Sequence, residues 1–290
     1  MSSVVLVHGI FNHLPGVPPA EAAVRKAEQC RPKLAAGLAA AGLDVPVPEV
    51  AMAYYADLLR DEAPERQSAV GGDRLESLTD QELAEVYEWL VAAGGPELPD
   101  TQNVGLKPVR QMLGWLVEER SGRAAGRIHE QTVQRLERLL VGQLREVEAY
   151  TSWPGRRRAV RERVAEAIRA GRPSVLVAHS LGSVVAYETL HAFPGLEVEL
   201  LVTLGSPLRV PTVVRRLDPG LRSGRGARPA GVARWVNVAD VGDLVAVPPG
   251  LSKAFPVDQD ETTDVGLGFH GLGGYLSNGL TAAALAPYIS

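Results

Sequence analysis

The sequence predicts an α/β protein in which a mostly parallel sheet carries helices on both faces and is interrupted by a helical insertion. Three observations predict it. Short apolar, β-branched runs alternate with amphipathic stretches of helical period, the pattern of a chain built from strand–helix units. The apolar runs end at glycine, serine or aspartate, residues that break a strand and permit tight turns. From residue 58 to 155 there are several helical patterns and no convincing strand.

The elements follow in order. Val4 to Val7 reads as a buried strand ending at His8-Gly9-Ile10-Phe11; a glycine there lets the backbone turn sharply and come close to another group. A helix is expected from Ala20 to about Ala41, with Gly42 placed to end it. Pro48 to Tyr55 is the next strand, through Val50, Met52 and Tyr54. In the insertion, Thr79-Asp80-Gln81-Glu82 is a capping box, and Leu83, Val86, Tyr87 and Leu90 follow at helical spacing. Pro96 and Pro99 separate this helix from the next, where Val109, Met112, Leu113 and Leu116 form one stripe.

Ile128 to Val147 is a longer amphipathic helix with Leu136, Leu139, Leu140 and Leu144 facing inward. Arg127, Arg135, Arg138 and Arg145 are balanced by Glu130, Glu137, Glu146 and Glu148, which favours a solvated outer face over a basic membrane-surface helix. Trp153-Pro154-Gly155 closes the insertion. Another helix begins at Arg156-Arg157-Arg158, with Val160, Val164 and Ile168 on one face. Val198 to Leu204 and Arg234 to Val238 are further strands. An acidic loop follows Pro248-Pro249, and a final helix is expected from Leu272 to near Tyr288.

Length and composition narrow the classes. A chain of 290 residues can bury one large core, with or without an insertion. A net charge of −4 argues against nucleic-acid binding, which favours a basic face. Cys30 is the only cysteine, so no intrachain disulfide can form, which fits a reducing compartment. Met1-Ser2-Ser3 leads into the first strand without the basic and long apolar regions of a signal peptide, and no apolar run is long enough to cross a bilayer. The expectation is a cytoplasmic protein.

The chemistry concentrates between Ser174 and Ser183. Val175, Leu176 and Val177 form a strand that stops at Ala178-His179-Ser180-Leu181-Gly182, and a helical pattern follows through Val184, Val185, Tyr187 and Leu190. Strand, small-x-Ser-x-Gly and helix are the layout of a nucleophile elbow, with Ala178 in the place usually held by glycine. A serine there meets the free N–H groups and positive dipole of a helix N-terminus. His8-Gly9, Ser180, Ser206 and Asp243 each follow a predicted strand, so a parallel sheet brings all four to one edge.

A serine hydroxyl needs a base, and the base needs a carboxylate to orient it. After an elbow of this kind the chain order is acid, then histidine. Of six histidines only His191 and His270 follow Ser180, and His191 falls within the helix after the elbow, which leaves His270. His8 belongs to the loop after the first strand, His129 to an insertion helix, and His179 adjoins the serine. Asp240 and Asp243 are both candidates for the acid.

The stretch from Asp243 through Val247-Pro248-Pro249, followed by His270 and Tyr275, resembles the region around the triad acid of fungal lipases, which selects Asp243 with Asp240 as the alternative. Together these motifs resemble the α/β-hydrolase superfamily, especially its lipase-like members, over residues 1–57 and 156–290; the insertion 58–155 resembles no family. The resemblance implies a serine hydrolase with Ser180 as nucleophile, His270 as base and Asp243 as its orienting acid. The backbone N–H groups of Ile10 and Leu181 would form the oxyanion hole, and no metal or organic cofactor is required. It implies a small-molecule or lipid-like acyl substrate. Acyltransferase, thioesterase or peptidase chemistry on the same machinery, or a non-catalytic binding protein of the same fold, are the alternatives.

The insertion is expected to cap Ser180, because its apolar stripes must be buried and the sheet faces already have helices. Phe11, His179, Met112 and Trp115 are the candidate substrate contacts, with Leu113 and Leu116 beside them. Gly266 to Gly271 fits G-x-G-x-x-G but follows no strong strand, which argues against a dinucleotide. Asp258, Asp260, Glu261 and Asp264 lack the glycine and distal glutamate of a calcium loop.

Overall fold

A computed structural model of the protein describes residues 3–60, 74–97, 105–121, 126–264 and 270–289, with their side chains except at 120, 121 and 126–130. Its strands are β1 (Ser3–Val7), β2 (Glu49–Ala53), β3 (Val175–His179), β4 (Val198–Leu204), β5 (Val232–Asp240) and β6 (Gln259–Thr263). They form one open sheet in the order β2–β1–β3–β4–β5–β6, and every neighbouring pair is parallel.

Side chains alternate across a strand, and the two faces accordingly feed two cores. Val5, Val7, Leu176, Ala178, Leu201 and Trp235 belong to one; Val4, Leu6, Val175, Val177, Leu200, Val202, Val236 and Val238 belong to the other. The second core is covered by helices α1 (Pro19–Ala40), α8 (Leu272–Leu276) and α9 (Gly279–Ile289). Against the first lie α5 (Pro154–Gly171) and α6 (Leu181–Ala192). Apolar residues on both faces of central strands are what a buried parallel sheet requires. The chain leaves β1 toward β2 on one side and β3 on the other. The crevice of such a sheet opens at this switch point, beyond the carboxyl ends of the strands.

Helices α2 (Asp80–Ala92), α3 (Leu106–Ser121) and α4 (Gly126–Thr151) fill the stretch between β2 and α5. The capping box at Thr79 is present, with Glu82 N–H donating to Thr79 Oγ1 and Thr79 N–H to Glu82 Oε2 at 2.7 Å. The expected stripes of α2, α3 and α4 are buried in the same apolar core as α5 and α6, with Leu139 partly so. The insertion therefore shares a core with one sheet face. Polar ties add to this: Trp89 Nε1 donates to Leu244 O at 2.7 Å, and Arg215 and Arg216, after the short helix α7 (Pro211–Val214), pair with Glu88 and Glu85 at 2.6 Å.

Three local expectations change. The acidic loop contains β6, whose burial alternation is faint because only Thr263 turns inward. The C-terminal helix is two helices, since Ser277-Asn278 interrupts it and Asn278 Oδ1 accepts from Leu280 N–H at 2.9 Å. The end of α2 comes at Gly94, with φ of +96°, before either proline. Pro99 and most of the 266–271 glycine run lie outside the described residues, as does the side chain of His129. Among the described residues no helix is long and apolar enough to cross a membrane.

One buried carboxylate joins the insertion to the sheet helices. Glu188 of α6 is fully buried and accepts from Tyr150 Oη of α4 at 2.6 Å, from Arg161 Nη2 of α5 at 2.6 Å, from Arg157 of α5, and from Asp218 N–H at 3.0 Å. Breaking a buried ion pair by removing one partner typically costs about 3–5 kcal/mol, because the other charges stay buried. Glu188→Ala should lower the stability measured by urea unfolding by about that amount. A variant as stable as the parent would refute the assignment.

Candidate active site

The site begins with a backbone that no side chain favours. Ser180 has φ 53° and ψ −131° at the head of α6, a sparsely populated conformation that costs about 1–3 kcal/mol unless its surroundings hold it. Both neighbouring strands hold it. Ser180 N–H donates to Leu204 O at the end of β4, at 3.0 Å. Ser183 Oγ donates to Ser180 O at 2.6 Å and lies 2.7 Å from Ser206 Oγ, just past β4. On the other side the loop after β1 presses against the turn, and only glycines permit it: a Cβ on Gly9 would fall 2.6 Å from Ser180 Cβ, and one on Gly182 2.4 Å from His8 O.

His270 and Asp243 meet this serine. His270 Nε2 lies 2.7 Å from Ser180 Oγ, and His270 Nδ1 lies 2.7 Å from Asp243 Oδ2. The same Oδ2 accepts from Tyr275 Oη at 2.7 Å, and Oδ1 accepts from Val245 N–H at 2.8 Å. Gly205, at φ +53°, leaves the room: a Cβ there would sit 2.8 Å from Asp243 Oδ2. It is Asp243, not Asp240, that reaches the histidine. Asp240 is the last residue of β5, and its Oδ1 accepts from Gly242 N–H within its own turn. Because an acceptor carboxylate faces Nδ1, that nitrogen carries the proton and Nε2 is free to accept from the serine.

Ile10 follows Gly9 on the pressed loop, and Leu181 opens α6. Among the described residues neither N–H donates to another protein atom outside its own helix. These are the two donors expected on the sequence, and they flank Ser180.

Two further histidines are buried beside Ser180 and held neutral. His8 donates from Nδ1 to Gly9 O at 2.8 Å, and its Nε2 accepts from Tyr55 N–H at 3.1 Å. Burial lowers its pKa to about 4. His179 donates from Nε2 to His270 O at 2.7 Å, which anchors the backbone of His270. Burial first, then the neighbouring His270, depresses its pKa well below the usual histidine range. The one cysteine is no rival nucleophile: Cys30 lies in the other core, where burial pushes its thiol up to about 11.

The insertion reaches the site through α4. Gln143 is fully buried, and its Oε1 lies 3.0 Å from Ser180 Oγ. Phe11, with φ +58°, donates its N–H to Glu146 Oε1 at 3.0 Å, and its ring packs where a side chain on Gly142 would be. Of the candidate substrate contacts, the structure thus sets Phe11 on the loop beside α4, 48% exposed, and ties His179 to the His270 backbone. Met112 is buried with Sδ against Gly95, at the end of α2, and Trp115 is 41% exposed on α3. Among the described residues, neither makes a hydrogen bond or ring contact with Ser180, His270 or Asp243. Gln143 escaped sequence reasoning because a glutamine in an amphipathic helix reads as part of its wet face. Its one signal is a seat between the inward-facing Leu139, Leu140 and Leu144. Among the described residues no group of three or more His, Cys, Asp or Glu is placed to hold a metal.

The neutral histidines predict acid sensitivity. A histidine whose folded pKa is below its ordinary 6.5 contributes stability that is full above pH 6.5 and lost as pH falls toward the folded value, here about 4 for His8. The loss from His8 approaches about 3 kcal/mol at the acid limit. Thermal midpoints between pH 7.5 and 4.5 should fall steeply, and His8→Gln should flatten the slope. Parallel curves for the two proteins would contradict the assignment.

Compared with protein families, with characterised proteins and with solved structures, the chain finds no match in any of the three.

Proposed function

We propose that the protein is a serine hydrolase of the α/β-hydrolase type that cleaves an acyl ester through a covalent acyl-enzyme. The observation that carries the reading is the unbroken relay Ser180–His270–Asp243, with both links at 2.7 Å. Ser180 Oγ attacks the acyl carbonyl while its proton passes to His270 Nε2. Asp243 keeps Nδ1 protonated and stabilises the imidazolium that forms, itself fixed by Tyr275 and Val245. The carbonyl oxygen, now negative, takes the N–H groups of Ile10 and Leu181 at the positive end of α6. His270 then protonates the leaving alcohol, and water repeats the sequence in reverse to release the acid.

The sheet topology supports the same reading. An all-parallel open sheet presents nucleophile, loop and acid at the carboxyl ends of β3, β1 and β5, beside the switch point. The insertion is then a cap: α4 lies over a serine that is fully buried, so an acyl substrate enters when α4 or Gln143 gives way.

A fluorophosphonate probe should label the protein at Ser180 and fail to label Ser180→Ala. Robust labelling of that variant would sink the nucleophile. Asp243→Asn should lower ester turnover by about four orders of magnitude by favouring the wrong tautomer of His270. Asp240→Asn should cost far less, and the reverse ranking would reassign the acid.

A further inference from the structure

We propose that Gln143 contacts the bound substrate, and that its side-chain amide selects acyl groups with a hydrogen-bond acceptor next to the reacting carbonyl. The proposal rests on the nucleophilic role given to Ser180.

Gln143 sits on the cap helix, fully buried, and one end of its amide touches the nucleophile. The other end, Nε2, has no hydrogen-bond partner among the described residues. An unpaired buried donor costs roughly 1–3 kcal/mol, which a leucine or methionine at this position would avoid. The helix cannot easily turn the amide toward water. Its neighbours in sequence are fixed, Gly142 against the Phe11 ring, Glu146 to the Phe11 N–H and Tyr150 to Glu188.

The oxygen end of the amide has no secure partner either. A serine hydroxyl has a single proton, and two acceptors face it: His270 Nε2 at 2.7 Å and Gln143 Oε1 at 3.0 Å. Once the proton goes to His270, both ends of the amide are unpaired, and substrate has to supply what the protein does not.

The stereochemistry of the tetrahedral carbon says which part of the substrate meets it. One substituent is Ser180 Oγ. The oxyanion turns to the Ile10 and Leu181 N–H groups. The leaving oxygen turns to His270 Nε2, which protonates it. The remaining substituent is the acyl group, and it is left to face the cap. Nitrogen and oxygen of an amide are roughly 2.3 Å apart, so the donors reach atoms one or two bonds beyond the reacting carbon. An ether, keto or amide oxygen at that position would pair with Nε2, whereas a methylene would bury it unpaired.

The test uses two p-nitrophenyl esters with the same number of heavy atoms, the butanoate and the methoxyacetate, each rate divided by that ester's hydroxide-catalysed rate. The parent protein should favour the methoxyacetate by about tenfold or more in kcat/KM. In Gln143→Leu the ratio should fall to about one, mainly through loss on the methoxyacetate; Gln143→Met, of similar length, should behave the same way if the leucine variant folds poorly. No preference in the parent protein, or an equal preference in parent and variant, overturns the proposal while leaving Ser180 as nucleophile. If neither ester nor fluorophosphonate modifies Ser180, the hydrolase reading itself fails and this proposal goes with it.

Discussion

A strained turn must be held from outside, and the turn at Ser180 is held by the two strands that flank β3. β4 supplies the acceptor for its N–H and, just beyond its end, the hydroxyl of Ser206; β1 supplies the loop that Gly9 and Gly182 allow to lie against it. The positions of Ile10 N–H and Leu181 N–H follow from that contact, since both belong to the surfaces being pressed together. The place of His270 follows as well, because His179, the residue before the turn, carries its backbone oxygen. The order β1–β3–β4 is thus a requirement of the site as much as of the sheet: move either neighbour and the turn relaxes.

The insertion is tied to the same turn from behind. Glu188 lies two helical turns along α6 from Ser180, and it gathers Tyr150 of α4 with Arg157 and Arg161 of α5. A carboxylate deep in protein is tolerated only when several donors surround it, and here each donor comes from an element that positions another. The C-terminal half of α4 is therefore held near the site, by Phe11 toward Gly142 and Glu146, and by Glu188 toward Tyr150.

Much of this was legible in the residues. The four strands of the centre announce themselves as β-branched runs, and the elbow, Gly9, Asp243 and His270 are each marked by a residue type that the local backbone or chemistry demands. What was hidden had no such mark. β6 is a strand because β5 offers it hydrogen bonds, not because Gln259-Asp260-Glu261 carries an apolar face. The break before α9 depends on one asparagine acting as a cap inside an apolar stretch. Gln143 is unremarkable on its helix, and becomes part of the site only because α4 packs against α6. Tyr275 could be noticed as a neighbour of His270 in sequence, but its hydrogen bonds to Asp243 and Asp240 N–H arise from the loop geometry.

The acidic character of β6 has a consequence for how the molecule meets its own copies. An edge strand exposes a row of unpaired backbone groups on which another chain can build. Here Glu261 is exposed beside that row, while the Asp260 carboxylate accepts from Asn237 Nδ2 at 2.8 Å and from Ser252 N–H at 2.7 Å. Two molecules approaching through this edge would set like charges opposite one another as they formed their first hydrogen bonds, and the repulsion would grow with each residue paired. The acidic side chains of β6 thus oppose the addition of a further strand at this edge of the sheet.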